Sequence, residues 1–214
     1  MRFDVASAIS FFLVALPAVF FVVDPIGTVP LFLAMTARDS VEKARNMAAR
    51  ACLVGGGVLV FFALFGHVVF QVFGVSLAAF RTAGGVLLLI TALDMLRAET
   101  SKTKTSAAET NEGLEKDDIA IVPLAMPMLS GPGAIATVMV LVSRDPNTLR
   151  GTVLVALSIL LTFLGTYLIL RGAGVVQRVL RKSGVAILER VMGLILAAIA
   201  VQFIADGAKD LWGR

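Results

Sequence analysis

Asp24-Pro25-Ile26-Gly27-Thr28-Val29-Pro30-Leu31 interrupts an apolar run of 29 residues, AISFFLVALPAVFFVVDPIGTVPLFLAMT, positions 8–36. About 20 apolar residues suffice for a spanning helix, so this run is long enough to cross a bilayer and is broken two-thirds of the way along. Pro25 and Pro30 remove two backbone donors, Gly27 loosens the chain between them, and Asp24 adds an ionisable group. Unsatisfied backbone in hydrocarbon costs several kcal/mol, so such a break persists only where protein or a water-filled cavity covers it. A second break of this kind stands at Pro127 to Gly133, PMLSGPG. Two interrupted hydrophobic segments in corresponding places of two halves point to a transporter site.

The composition agrees. Of 214 residues 58% are hydrophobic and 16% charged, and a mean hydropathy of +0.91 belongs to an integral membrane protein. The net charge of +4 is read through topology. No C2H2 pattern, RNP-like aromatic motif or separate basic helix points to nucleic acid. Cys52 is the single cysteine, which excludes an internal disulfide, and it reads as a packing residue. The first run is too long, and too poor in a small-residue cleavage site, for a removable signal peptide.

Six apolar segments emerge, at 8–36, 47–73, 77–97, 119–143, 150–170 and 185–206. They divide the chain into a first three-span unit (1–97), a polar linker (98–118, AETSKTKTSAAETNEGLEKDD) and a second three-span unit (119–214). The linker has little to bury and is expected to be flexible. Four Lys or Arg residues lie at each of loops 1–2, 3–4 and 5–6, against five on the opposite side (Arg2, Arg144, Arg150, Lys209, Arg214). The positive-inside rule then puts the linker in the cytoplasm and both termini outside an inner membrane.

The two units look related. Pro25 and Pro132 are 107 positions apart, and Arg81-Thr-Ala-Gly84 and Arg190-Val-Met-Gly193 share R-x-x-G at an offset of 109. Three spans per copy require the second to lie inverted. The expected fold is an all-α integral membrane protein, six transmembrane helices as a 3+3 inverted repeat with two broken helices.

Few residues could carry chemistry. Asp24, His67, Arg81, Asp94, Glu189 and Arg190 are the ionisable side chains within spans; a charge near a helix centre costs roughly 2.5–3.5 kcal/mol on insertion scales. Arg81, Asp94, Glu189 and Arg190 lie near span ends, where snorkelling or pairing makes them structural charges; the alternative is that Arg81 and Arg190 brace the broken helices. Asp24 adjoins the break and either binds substrate or a proton, or caps the broken backbone. His67 reads as a packing residue, and no second ligand at metal spacing accompanies it. Ser130 with His67 is the only formal catalytic pair, and no enzyme is expected. No nucleotide motif or cofactor signature is present. The expected substrate contacts are Asp24, Pro25, Gly27, Thr28, Pro30, Ser130, Gly131, Pro132 and Gly133, with Asp24 as the proton-coupling candidate. Around Gly131 and Gly133 a chain without Cβ atoms could offer amides to a carboxylate.

DPIGTVPLF (24–32), FRTAGGVLLLITALDML (80–96), PLAMPMLSGPGAIATV (123–138) and LERVMGLILAAIAVQFI (188–204) resemble the MarC family, the six-span small neutral amino acid transporter group. The match covers nearly everything except the linker. The resemblance implies, for some members, transport of glycine, alanine and similar amino acids in either direction; it supplies no established site residues. Drug or metabolite efflux stays open beside it and calls for a large aromatic-lined cavity. So does a non-transporting membrane scaffold, with glycine-rich faces serving oligomerisation. Expected partners are a small-molecule substrate, the lipid bilayer and, where the glycine faces meet, a second copy.

Overall fold

The computed structural model describes residues 5–97, 118–145 and 147–212. The linker read at 98–118 therefore lies outside the described residues, except for Asp118. The described residues are helical throughout, in the order α1 (Val5–Val23), α2 (Thr28–Met35), α3 (Val41–Phe73), α4 (Leu77–Arg97), α5 (Ala120–Leu129), α6 (Pro132–Arg144), α7 (Thr148–Arg171) and α8 (Ala173–Trp212). Ala6–Met35, Val41–Gly66, Leu77–Arg97, Thr148–Arg171 and Ser183–Trp212 are each long and apolar enough to cross a membrane. α5 and α6 are long and apolar enough only as a pair, bent by 53° between them, so that the described residues hold five or six such spans.

Local chemistry sets the element ends. α3 starts six residues before its apolar run, because the Ser40 hydroxyl accepts the Lys43 amide at 3.2 Å and caps a charged first turn. Asn147 caps α7 in the same way through the Arg150 amide, 3.1 Å. α8 is interrupted at Arg181, which has φ 53. α5 is not an α-helix. Pro123 and Pro127 have no amide to donate, and Val122 and Met126 before them are extended, as residues preceding proline prefer to be. The bonds that remain reach five residues back: Leu124 N–H to Ile119 C=O (3.2 Å) and Ser130 N–H to Ala125 C=O (3.0 Å). The expected break at 127–133 is thus the end of an irregular coil covering the first half of the fourth span.

α4 and α8 form the most extensive helix pair, and two glycines let them meet. A Cβ on Gly85 would stand 2.9 Å from both the Ala200 carbonyl oxygen and the Ile204 nitrogen; one on Gly193 would stand 3.0 Å from the Ala92 oxygen and 3.1 Å from the Leu96 nitrogen. The contacts are reciprocal: Gly85 and Gly193, Ala92 and Ala200, Leu96 and Ile204 are each 108 positions apart. The offset of these contacts is therefore one residue short of the R-x-x-G offset, and it makes Glu189, not Arg190, the sequence equivalent of Arg81.

Ion pairs gather where both chain ends lie. Arg81 on α4 holds Asp210 of α8 (2.9 Å), and Arg144 at the end of α6 holds Asp206 (2.8 Å), with its guanidinium 4.7 Å over the Phe203 ring. Arg150 binds buried Asp145 through two nitrogens, 2.8 and 2.9 Å, and donates to Ser7 of α1. Its hydrogen bonds, with help from the Asn147 amide and against desolvation, hold the Asp145 carboxyl below its ordinary pKa. On the opposite face, Asp118 bridges to Arg50; the Ala120 amide and then Arg50 lower its pKa as well.

Candidate functional site

Asp24 builds the first break. Its backbone is left-handed, φ 58, a conformation that short polar residues tolerate better than most. Its own amide still closes α1 on Phe20 (3.0 Å). The carboxylate then turns forward and Oδ1 accepts the Gly27 amide at 3.0 Å, while the Asp24 carbonyl accepts the Thr28 amide (3.2 Å) and the Thr28 hydroxyl (2.9 Å). The capping role expected of Asp24 is therefore observed, and the residue is 8% exposed. Pro25 and Thr28 are buried with it, whereas Pro30 is exposed on α2.

Gly27 marks where another chain segment arrives. A Cβ there would collide with Asp24 Oδ2 and with Glu189 Oε1, the latter at 2.7 Å. Both oxygens lie within 3.0 Å of that point, so no more than twice that distance separates them. Glu189, read from sequence as a span-end structural charge, thus stands beside the first break. Arg190 is exposed and Asp94 half-buried. Arg81 is engaged with Asp210 at the far face.

The second break is made differently. Ser130 is fully buried and its hydroxyl donates to the Ala125 carbonyl at 2.7 Å, supporting the last turn of α5. Gly131 is buried and extended, with φ −70 and ψ 175, and no side chain caps α6. Pro132, at the first position of α6 where its missing amide is harmless, is exposed. Gly133 is buried; a Cβ on it would lie 3.6 Å from Thr91 Oγ1 and 3.8 Å from Val22 Cγ2.

Val22 is two residues before Asp24, so Gly133 brings the two breaks against each other, with Thr91 of α4 as a third side. α1 packs on α6 and α2 on α5 around this meeting. Ser130 Oγ lies 3.5 Å from the Cβ position of Gly55, where Phe163 of α7 also packs, which ties α3 and α7 to the second break. Of the nine expected contact residues, Pro30 and Pro132 are exposed and the other seven buried or half-buried.

Sequence reading missed Glu189 at the break, Thr91 facing Gly133, and Thr162 on α7, whose hydroxyl oxygen is buried without a hydrogen-bond partner in a residue 1% exposed. The regular spacing of Ser158, Thr162 and Thr166 on one face of a helix was the available signal for the last. Cys52 is buried; the side chain of His67 lies outside the described residues. No group of three potential metal ligands occurs among the described residues.

The family described as MarC family integral membrane protein matches residues 9–212 of this chain. A UPF0056 membrane protein of Methanocaldococcus jannaschii is 39% identical over 94% of this chain and 97% of its own length. One from Aquifex aeolicus is 36% identical over 89% and 88%, and the UPF0056 membrane protein YhcE of Escherichia coli 32% over 90% and 89%. No solved structure matches.

Proposed function

Since the chain belongs to the MarC family and is a multi-pass integral membrane protein, we propose that it is a secondary transporter of small neutral amino acids of the glycine and alanine kind. The observation that carries this reading is the meeting of two helix interruptions inside the spans, with glycine where one faces the other. Backbone at membrane depth is tolerated where it lines a cavity or is covered by protein, and paired broken helices are how many transporters build a midplane site.

The chemistry of the two breaks suits a zwitterion. Asp24 and Glu189 present carboxylates at the first, toward which an ammonium is drawn. The uncapped start of α6 at Gly131–Gly133 presents amides and the positive end of a helix dipole, which favour a carboxylate. Little room remains for a substituent beyond a methyl, with Thr91 and Val22 in ordinary contact range of the Gly133 Cβ position. Asp24 is the proton-coupling group in this reading, and no catalytic step or cofactor belongs to it.

A 3+3 inverted repeat of 1–97 and 119–214 is part of the proposal. The reciprocal crossing of Gly85 and Gly193 supports it, because a two-fold axis between α4 and α8 makes each glycine meet the equivalent backbone of the other helix. With twelve Lys and Arg residues on the linker side, the repeat sits in the cytoplasmic membrane with both termini outside.

Counterflow of radiolabelled glycine, alanine and serine in proteoliposomes tests the function. Gly133→Ala should retain exchange and Gly133→Leu should abolish it while still inserting. Absence of counterflow across a wide amino acid panel in well-folded protein would remove the reading and return the scaffold alternative to the front.

A further inference from the structure

Near the face carrying both chain ends lies a cavity of about 540 Å³, bounded by Phe62, Gly66, Leu77, Met139, Ser143 and Thr152 together with their neighbours on α3, α6, α7 and the 74–77 turn. It is separate from the meeting of the two breaks. We propose that it holds an acyl chain of a bilayer phospholipid, with the ester region of that lipid against a hydroxyl rim.

The cavity has an apolar and a hydroxyl part. Phe62, Ala63 and Met139 give it apolar walls a turn or more inside α3 and α6. Its polar side chains are hydroxyls only, and all stand at helix ends: Ser76 just before α4, Ser143 one residue from the end of α6, Thr148 and Thr152 in the first turns of α7. The Ser143 and Thr152 protons are given to backbone carbonyls, at 2.7 and 2.8 Å, so their oxygens face a ligand as acceptors; Ser76 accepts the Ala79 amide and keeps its own proton to give. An amphiphile with an apolar tail and a mildly polar neck matches that order.

The mouth opens on the apolar outer surface. Leu64 and Val75 belong to the lining and are 53% and 41% exposed, and Phe61 and Phe65 beside them are about half exposed. Apolar walls left uncovered forfeit dispersion contacts, and in a bilayer the solvent beside exposed apolar helix surface is hydrocarbon chain. The lining carries no charged side chain among the described residues, which sets it apart from the acidic first break and from amino acid binding.

The test uses full-length protein reconstituted in phosphatidylcholine brominated along its acyl chains. In a Trp212→Phe background, Met139→Trp reports from the inner wall and Leu160→Trp, on the exposed face of α7, reports the bulk lipid. Bromine should quench both to a similar extent, and Gly66→Leu should relieve quenching only at position 139. Photolabelling of the unsubstituted chain by a chain-diazirine lipid should mark peptides carrying 62–66 and 139–143. Quenching and labelling confined to the outer face of α7 would overturn the proposal. So would relief of quenching at 139 by a water-soluble apolar solute, which would make the cavity a solute site instead.

Discussion

Adding one methyl group at Gly85 or Gly193 should separate the two longest-packed helices of the molecule. In Gly85→Ala the new Cβ stands 2.8 Å from Ile204 Cγ1, which can rotate away, and 2.9 Å from the Ala200 oxygen and Ile204 nitrogen, which cannot. Ordinary contact begins at 3.4 Å, so α8 must retreat by about 0.5 Å along a crossing held by close approach of small residues. Overpacking of this kind typically destabilises by 1–3 kcal/mol, and about 2 kcal/mol is expected here. Gly193→Ala needs a similar movement, because its new Cβ stands 2.9 Å from Met95 Cβ, which no rotamer moves, and 3.0 and 3.1 Å from the Ala92 oxygen and Leu96 nitrogen, and it should cost about as much. The double variant should lose less than the sum, since the first methyl already opens the space the second needs. Gly57→Ala is the control: nothing lies within 4 Å of its Cβ position, and alanine is the better helix former by about 1 kcal/mol. Thermal unfolding of purified protein in detergent reads all four. Gly85→Ala and Gly193→Ala variants as stable as Gly57→Ala would refute the reciprocal crossing.

Three further outcomes are expected. Asp24→Asn should keep substrate exchange, because its side-chain oxygen can still accept the Gly27 amide, but lose accumulation driven by a pH gradient; accumulation that survives would place the proton elsewhere. Ser106→Cys in a Cys52→Ser background should resist an impermeant maleimide in intact spheroplasts and react after lysis; labelling from outside would invert the topology. Arg150→Gln should destabilise by about 3–5 kcal/mol, as removal of one partner from a buried pair does, since the Asp145 side chain is 1% exposed. The lowered folded pKa of Asp145 contributes stability above the unfolded value near 4, lost as pH falls through the folded value; acid melting curves of Arg150→Gln should lack that step.

Much of the architecture was legible because burial in lipid leaves a one-dimensional trace. Five of the six apolar segments became helices long enough to span and the remaining one the bent α5–α6 pair, and the Asp24–Gly27 interruption falls where the prolines and the acid predicted it. Depth along a span is readable from sequence, but rotation about the helix axis is not. Glu189 therefore read as a charge near a span end, although its α8 face turns it to Gly27, 162 positions earlier in the chain. The R-x-x-G offset does not give the register of the α4–α8 crossing for the same reason. Matching the arginines gives 109, whereas the backbone contacts choose Gly85 over Gly84 because only there does α8 come within 2.9 Å. The ion pairs of Asp206 and Asp210 needed the helix ends to be brought together first.

The two breaks looked alike in sequence, each a proline beside a glycine, yet opposite causes produce them. At the first, a side chain takes over from the backbone: the Asp24 carboxylate accepts the Gly27 amide and the left-handed turn lets α2 resume within a single span, Ala6–Met35. At the second, prolines withdraw two donors, the carbonyl–amide spacing widens to five residues, and the chain leaves at 53°. The first break therefore brings two carboxyl groups together and the second leaves amides at an uncapped helix start. In the transport reading proposed above, two interruptions of unlike chemistry give unlike ends to one site, which is what a small dipolar substrate requires.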